Sequence, residues 1–434
     1  MKTKFLILFL ILFGVILNSC SETDTDVLIG TKDQESIRNQ SEILTIAEDF
    51  ISKINPKKSR SSESRFTSIV PVFGNNRSRV TSAPLVYAVN IENNEGFILV
   101  ASPKNVTPVI GYSFNGNYTT VTDDEQSNFS YYLDEAIDYV DRQRVKRPDS
   151  LVITPAFSTD TIIFNLHYRP QIKVTWGQLW PENIYCPNDR GGCEPVSLAQ
   201  IMSFFKQPQS LELTFENAPE NILYIDWDEI IKHKPTFSFD TPNNNTLQNH
   251  YATCEASTKA HYDLAKIIRQ LGHLQNSDYR NTSGLDWGTW TILDSAVSVS
   301  KKLLPNNFVC YKGHTNDLFN DLSARGIVMF IGAMEPKKYY HAWILDGCFM
   351  YNTTVNHYEG GVLVEQESLV YERYVYHNWG ENGRYNGAYL YDVYDTEAET
   401  YEPPSWATGD PIVFPKANSR TSFPYNHQYL LFKK

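Results

Sequence analysis

Gly191-Gly192-Cys193-Glu194-Pro195-Val196-Ser197-Leu198-Ala199-Gln200-Ile201-Met202 places a cysteine directly ahead of an apolar run of helical period. Val196, Ala199, Met202 and Phe205 recur every third residue, so one face of this helix points into a core. Pro195 suits a first helical turn, where its missing N–H would have no intrahelical acceptor. Lys206-Gln207-Pro208 then stops the helix. Cys193 thus opens a helix, where the positive end of the dipole favours a thiolate. Two readings compete: a small buried residue at a glycine turn, or a nucleophile.

A thiolate nucleophile needs a base, and the base needs a group to orient it. His341 heads the apolar strand His341-Ala342-Trp343-Ile344-Leu345-Asp346-Gly347. A histidine entering a buried strand has to find partners for its ring nitrogens, as a structural residue or a functional one. It follows Cys193 by about 150 residues, and Asn378, in His377-Asn378-Trp379-Gly380, comes about 40 later; Cys, then His and Asn over about 130–150 residues is the papain-like order. Asn378 can accept from an imidazole and Trp379 can shield that bond. Gln178, upstream, can offer its amide to an oxyanion beside the Cys193 N–H.

The chain has 434 residues, 41% apolar and 13% aromatic, with net charge −12. Its length suits two or three domains. No basic stripe with interleaved aromatics occurs, so no nucleic-acid partner is expected. Lys2 and Lys4 precede an apolar run over residues 5–17, too short to span a membrane comfortably and of secretory type. Leu17-Asn18-Ser19-Cys20 is close to a bacterial lipobox, which predicts a signal peptide over 1–20, a lipid on Cys20 and an acidic tether over 21–40. The lipid is the only expected membrane contact, so the mature protein should be exported and anchored at a bacterial membrane or cell surface. Five cysteines remain: Cys186, Cys193, Cys254, Cys310 and Cys348. An odd number in an exported protein leaves a thiol over. No Cys/His cluster has metal-ligand spacing, so neither metal nor cofactor is expected. A Cys186–Cys193 disulfide is the rival to a free Cys193.

Residues 41–55 read as an amphipathic helix and 57–62 as a basic, Ser-rich loop. Strands at 85–91 and 96–101 flank the hairpin signal Glu92-Asn93-Asn94-Glu95, and 109–112 adds a third. A second amphipathic helix runs from Phe129 to Val140 and ends in a polar, basic linker, 141–148. Residues 41–147 therefore read as a small α+β domain. The second body, 148–434, places helices near 193–205, 227–231, 257–271, 290–304 and 315–325 before strands at 327–332, 341–347, 363–365, 371–378, 388–391 and 428–432. Helices first and sheet second suits a two-lobed α+β molecule with a cleft between the lobes.

Trp176-Gly177-Gln178, Tyr185-Cys186-Pro187, Gly192-Cys193 with Ala199-Gln200-Ile201-Met202, His341-Ala342 through Asp346-Gly347, and Asn378-Trp379-Gly380 together resemble the streptopain family of cysteine peptidases. The first domain resembles that family's inhibitory pro-domain. The resemblance implies an α+β, papain-like two-lobed peptidase, with a helical lobe and an antiparallel sheet lobe, preceded by a pro-domain that covers the cleft as an intramolecular inhibitor. It implies an endopeptidase made as a zymogen and acting on protein or peptide substrates. Cys193 would be nucleophile, His341 general base and acid in a resting ion pair, Gln178 oxyanion donor, and Asn378 and Trp379 the residues that orient or shelter the imidazole. The stretch 142–147 is the expected site of pro-domain release. Two departures stand out: Glu381-Asn382-Gly383 replaces the family's Trp-Gly-Gly, and Tyr340 replaces a Gly before the base. The alternative is a non-catalytic surface lipoprotein that binds host protein or glycan, with Cys193 tied to Cys186.

Overall fold

Asn39 and Glu42 open the first helix, α1 (Gln40–Ile54). The Glu42 N–H donates to Asn39 Oδ1 at 3.0 Å and the Asn39 N–H donates to Glu42 Oε2 at 2.7 Å, so each satisfies a donor at the helix end. Ile43, Ile46, Ala47, Phe50 and Ile51 form its buried stripe. The computed structural model describes residues 36–54, 65–73, 83–119, 128–147, 149–155, 167–179, 181–187, 190–232, 258–279, 289–290, 293–304, 309–334, 339–393 and 428–433. The apolar run at 5–17, Cys20, the tether as far as residue 35, the Ser-rich stretch at 57–62 and Cys254 lie outside these residues. Among the described residues no helix is long and apolar enough to cross a membrane.

After α1 come β1 (Phe66–Val72), β2 (Val86–Ile91), β3 (Phe97–Ala101) and β4 (Val109–Ser113), an antiparallel meander, and then α2 (Asn128–Lys146). Next are β5 (Leu151–Pro155), β6 (His167–Tyr168), α3 (Cys193–Phe205), α4 (Trp227–Lys232), α5 (Lys259–Leu274), α6 (Leu293–Leu303), β7 (Val309–His314) and α7 (Thr315–Ser323). The chain closes with β8 (Ile327–Met334), β9 (Tyr339–Glu359), β10 (Val362–Asn378), β11 (Gly387–Leu390) and β12 (Gln428–Lys433). The sheet order is β1-β2-β3-β4-β11-β10-β9-β8-β12-β7, with β5 and β6 also paired to β9.

Alternation along the strands divides the interior into two cores. Ile327, Met329, Ala342, Ile344, Leu430 and Phe432 face α3 and α5. Val328, Phe330, Trp343, Leu345, Tyr429 and Leu431 face the other way, into a core that also holds α1, α2 and Leu318 of α7. Helix α3 runs through the first core, buried from Glu194 to Ser203.

The sequence separates a pro-domain from the second body by a linker; the structure joins them in one sheet. From Arg38 onward the described residues form one compact unit. Strand β4 pairs with β11 through Gly387↔Ser113, Ala388↔Tyr112 and Tyr389↔Gly111. This seam leaves no room for side chains at its glycines. A Cβ on Gly387 would lie 2.0 Å from the Tyr112 carbonyl oxygen, and one on Gly111 would lie 2.3 Å from the Tyr389 ring. The Tyr374 hydroxyl donates to Val109 O at 2.7 Å, and the Tyr132 hydroxyl to Ile110 O at 3.0 Å, so both aromatic side chains are buried without stranding their polar ends. Thr107 donates to the buried Glu372 carboxylate at 2.9 Å.

The basic stretch read as an exposed linker is the last turn and a half of α2. Helix-favouring residues carry the period past Val140, and Lys146 and Arg144 complement the helix C-terminus. Asn105 Nδ2 then caps it, donating to Arg144 O at 3.1 Å and Arg147 O at 3.0 Å. A peptidase takes its substrate extended, so 142–146 is not presented for cleavage in this state. The strands read separately at 341–347, 363–365 and 371–378 belong to one long hairpin, β9–β10, whose outer half pairs with β5.

Candidate active site

Cys193 is set by the turn before it. Gly192 takes φ 85° and ψ 138° at the helix N-cap, a left-handed φ that favours glycine, and its carbonyl accepts from the Val196 N–H at 3.1 Å. The thiol meets the N–H groups of Ala342, Glu194 and Cys193 itself. Ala342 follows His341 on β9, so α3 and β9 bring the cysteine to the strand that carries the histidine. Both residues keep some accessible surface, yet both sit deep enough for desolvation to dominate. Burial, and then the Glu194 carboxylate, push the Cys193 thiol up to about 12, against the smaller opposing effect of those N–H groups. Burial, and then Arg190, push the His341 imidazole down to about 4.

Both shifts favour the uncharged thiol and imidazole in this state, against the expected resting ion pair. The helix dipole is outweighed by desolvation. Ala342 and Ile344 point toward α3, and Arg190, three residues before Cys193, is the charge felt by His341.

Gln178 is half-buried. Its carbonyl accepts from the Gly191 N–H at 2.8 Å, which ties its backbone to the turn that presents Cys193. Asn378 Nδ2 donates to Val174 O at 2.8 Å and to Gln200 Oε1 at 2.6 Å, and its Oδ1 accepts from Gly380 N at 3.4 Å and Asn386 Nδ2 at 3.2 Å. In the sheet register Asn378 lies across from Ile344, three residues along the strand from His341. Its amide thus holds the segment leading to Gln178, a different partner from the imidazole expected of it. Trp379 donates its Nε1–H to Tyr385 O at 2.8 Å and packs on His377, Trp343 and Phe129.

Three residues matter that the sequence reading left without a role. Gln200, fully buried on α3, donates to Trp176 O at 3.1 Å while accepting from Asn378. It lies seven residues, two helical turns, after Cys193, and so bridges the nucleophile's helix, the sheet and the 174–178 segment. Asp346 accepts from the N–H groups of Gln171 and Ile172 at 2.8 and 2.7 Å. Burial, against those two bonds, still lifts its carboxyl to about 7. His377 accepts the Trp343 indole N–H at 3.1 Å inside an aromatic cage that includes Tyr132 of α2, and burial holds it well below the usual histidine range. A buried polar residue inside an otherwise apolar period, as in Ala199-Gln200-Ile201, is the signal that could have found Gln200.

Comparison with known proteins accounts for this arrangement. Residues 175–389 match the Peptidase C10 family, and residues 35–140 match the Spi protease inhibitor family. The chain carries a Peptidase C10 domain. It is a cysteine peptidase zymogen, with an inhibitory pro-domain followed by the peptidase domain. A fragment of Prevotella intermedia prointerpain A shares 14% identity with this C10 peptidase, over 84% of this chain and 97% of that one, at a TM-score of 0.46. Among curated proteins none matches the chain. Cys186 and Cys193 are both free thiols, so the disulfide on which the non-catalytic reading rested is not formed. The Tyr340 side chain and Cys310 side chain lie outside the described residues.

Proposed function

We propose that this C10 peptidase cleaves internal peptide bonds by acyl transfer to Cys193. The observation that carries the reading is the meeting of the Cys193 thiol with the Ala342 N–H beside His341, with Gln178 fastened by its backbone to the turn before Cys193. In the reaction His341 takes the thiol proton, and the thiolate attacks the carbonyl carbon of the scissile bond. The carbonyl oxygen becomes an oxyanion held by the Gln178 amide and the Cys193 N–H. As the tetrahedral intermediate collapses, the C–N bond breaks and His341 gives its proton to the leaving amine. Water, deprotonated by His341, then hydrolyses the thioester and restores the thiol.

In the zymogen, burial keeps both partners uncharged, and formation of the ion pair belongs to activation. An epoxide inhibitor added to the matured protein should label Cys193 alone, and His341→Ala should remove the labelling. Labelling elsewhere, or labelling that survives His341→Ala, speaks against this pair. Release of the pro-domain is read as autoprocessing; a full-length Cys193→Ala chain that still matures itself refutes that.

We further propose export and a lipid on Cys20, supported by the lipobox-like Leu17-Asn18-Ser19-Cys20. An alkyne fatty acid fed to producing cells should appear on the protein and be lost with Cys20→Ala. Lipid retained in that variant contradicts the anchor.

A further inference from the structure

Gly177, the residue before Gln178, is flanked by two polar side chains that are far apart in sequence, half-buried Asn382 and buried Glu182. A Cβ on Gly177 would lie 2.8 Å from Asn382 Oδ1 and 2.9 Å from both Asn382 Cγ and Nδ2. The Asn382 amide therefore lies flat on the Gly177 Cα. It is brought there by a turn with Asn382 itself at φ 55° and Gly383 at φ 82°, the latter packed on Thr175. Asparagine tolerates that left-handed backbone better than most residues. On the N–H side of Gly177 stands Glu182, 1% exposed. The backbone N–H groups of Glu182 and Gly177 ease its carboxyl without reaching ordinary hydrogen-bond geometry, and burial still lifts it to about 8. Asn382 Oδ1 and both Glu182 oxygens are buried without a hydrogen-bond partner among the described residues.

Buried polar atoms left unpaired are uncommon, and each calls for a reason beyond packing. What the two share is the peptide that carries Gln178, and an oxyanion donor loses its effect if displaced by a fraction of an ångström. From α3 the same segment is held by Gln200 at Trp176 O. The Glu381-Asn382 departure from the family pattern therefore falls against the oxyanion arm.

We propose that Asn382 and Glu182 are positioning residues that hold Gly177 from two sides and thereby fix the Gln178 amide for its oxyanion. The proposal rests on Gln178 being the oxyanion donor.

The test compares kcat and KM for peptide hydrolysis with the rate at which iodoacetamide alkylates Cys193, in the product matured from the full-length chain. Alkylation needs the thiolate and no oxyanion donor. Asn382→Ala and Glu182→Ala should each lower kcat by about 10- to 100-fold, with KM and alkylation rate within about twofold. Gln178→Ala should lower kcat by about 10²- to 10³-fold, and adding Asn382→Ala to it should cost less than about twofold more. Gly177→Ala should also lower kcat, and combining it with Asn382→Gly should raise kcat above either single variant, because the new methyl then occupies the place of the amide. That size exchange decides the matter if an alanine variant fails to fold. Unchanged kcat in Asn382→Ala and Glu182→Ala beside a fallen Gln178→Ala overturns the clamp and leaves the oxyanion reading standing. Full activity in Gln178→Ala removes both. A parallel fall of alkylation and kcat, or no recovery in the double variant, reduces the pair to structural support and overturns the proposal.

Discussion

At the scale of single residues, the zymogen keeps its nucleophile dormant by desolvation. A thiol held near 12 and an imidazole near 4 leave very little thiolate at neutral pH. Iodoacetamide should therefore alkylate zymogen Cys193 slowly, with a rate that rises about tenfold per pH unit from pH 6 to 10 and no plateau. A plateau below about pH 8 contradicts neutral partners. Gln200 carries a different burden. Gln200→Ala strands the Asn378 amide and the Trp176 carbonyl, and should cost about 2–4 kcal/mol in chemical denaturation, since each buried group left unpaired costs about 1–3 kcal/mol. A loss below about 1 kcal/mol means the two groups find other partners. Cys193 and His341 stand out in the sequence because helix starts and strand heads leave local marks. The partners of Asn378 could not, since sheet register is set by contacts far apart in the chain, and a three-residue offset separates Asn378 from His341.

At the scale of elements, the β4–β11 seam decides how the pro-domain is held. It is strand addition to a sheet edge, with backbone hydrogen bonds for affinity and aromatic contacts for register. Phe50 of α1 packs on Tyr351 at 5.8 Å and Tyr374 at 6.2 Å, and Phe129 of α2 packs on Tyr385 at 4.4 Å, so both helices bury peptidase aromatics. Arg38 adds a clasp: buried at the entry to α1, it donates to Lys104 O and Val106 O at 3.2 Å each and to Ile153 O of β5 at 2.7 Å. Gly111→Val places a branched side chain against the Tyr389 ring and should loosen the seam. The full-length variant should show peptide hydrolysis before maturation, at least about tenfold above the native zymogen for about 1.4 kcal/mol of lost contact. Equal latency would mean that the seam contributes nothing to inhibition. The α1 stripe, the β2–β3 hairpin and the α3 boundaries follow from local periodicity and turn residues. The seam does not, because a strand that reads as amphipathic says nothing about which edge it joins.

At the scale of the whole molecule, the buried acids tie the zymogen's stability to pH. Glu372, 4% exposed and facing Thr107, Thr353, Asp392 and Arg147, is lifted to about 7 by burial first and by Asp392 second. Its folded value lies above its ordinary one of 4.5. The folded chain thus holds the proton more tightly, and the stabilisation present at low pH is lost as pH rises from about 4.5 to 7. Glu372→Gln should flatten that part of the stability–pH curve. It should also raise zymogen stability at pH 8 by at most about 3 kcal/mol, because each tenfold difference in proton affinity between the folded and unfolded chain is worth about 1.4 kcal/mol. An unchanged slope places the linkage elsewhere, Asp346 being the next buried carboxyl near 7. The shared sheet is also why the molecule reads from sequence as two bodies and folds, from Arg38 onward, as one.

The central claim is that one thiol, Cys193, does the chemistry of this C10 peptidase. Peptide hydrolysis by the protein, once its pro-domain is released, compared with Cys193→Ala released by an added protease, tests it most directly. Cys193→Ala should lose all but about one part in 10⁴ of kcat/KM or less, while its sheet and helix content stay unchanged. Hydrolysis by Cys193→Ala at the native rate would contradict the account outright.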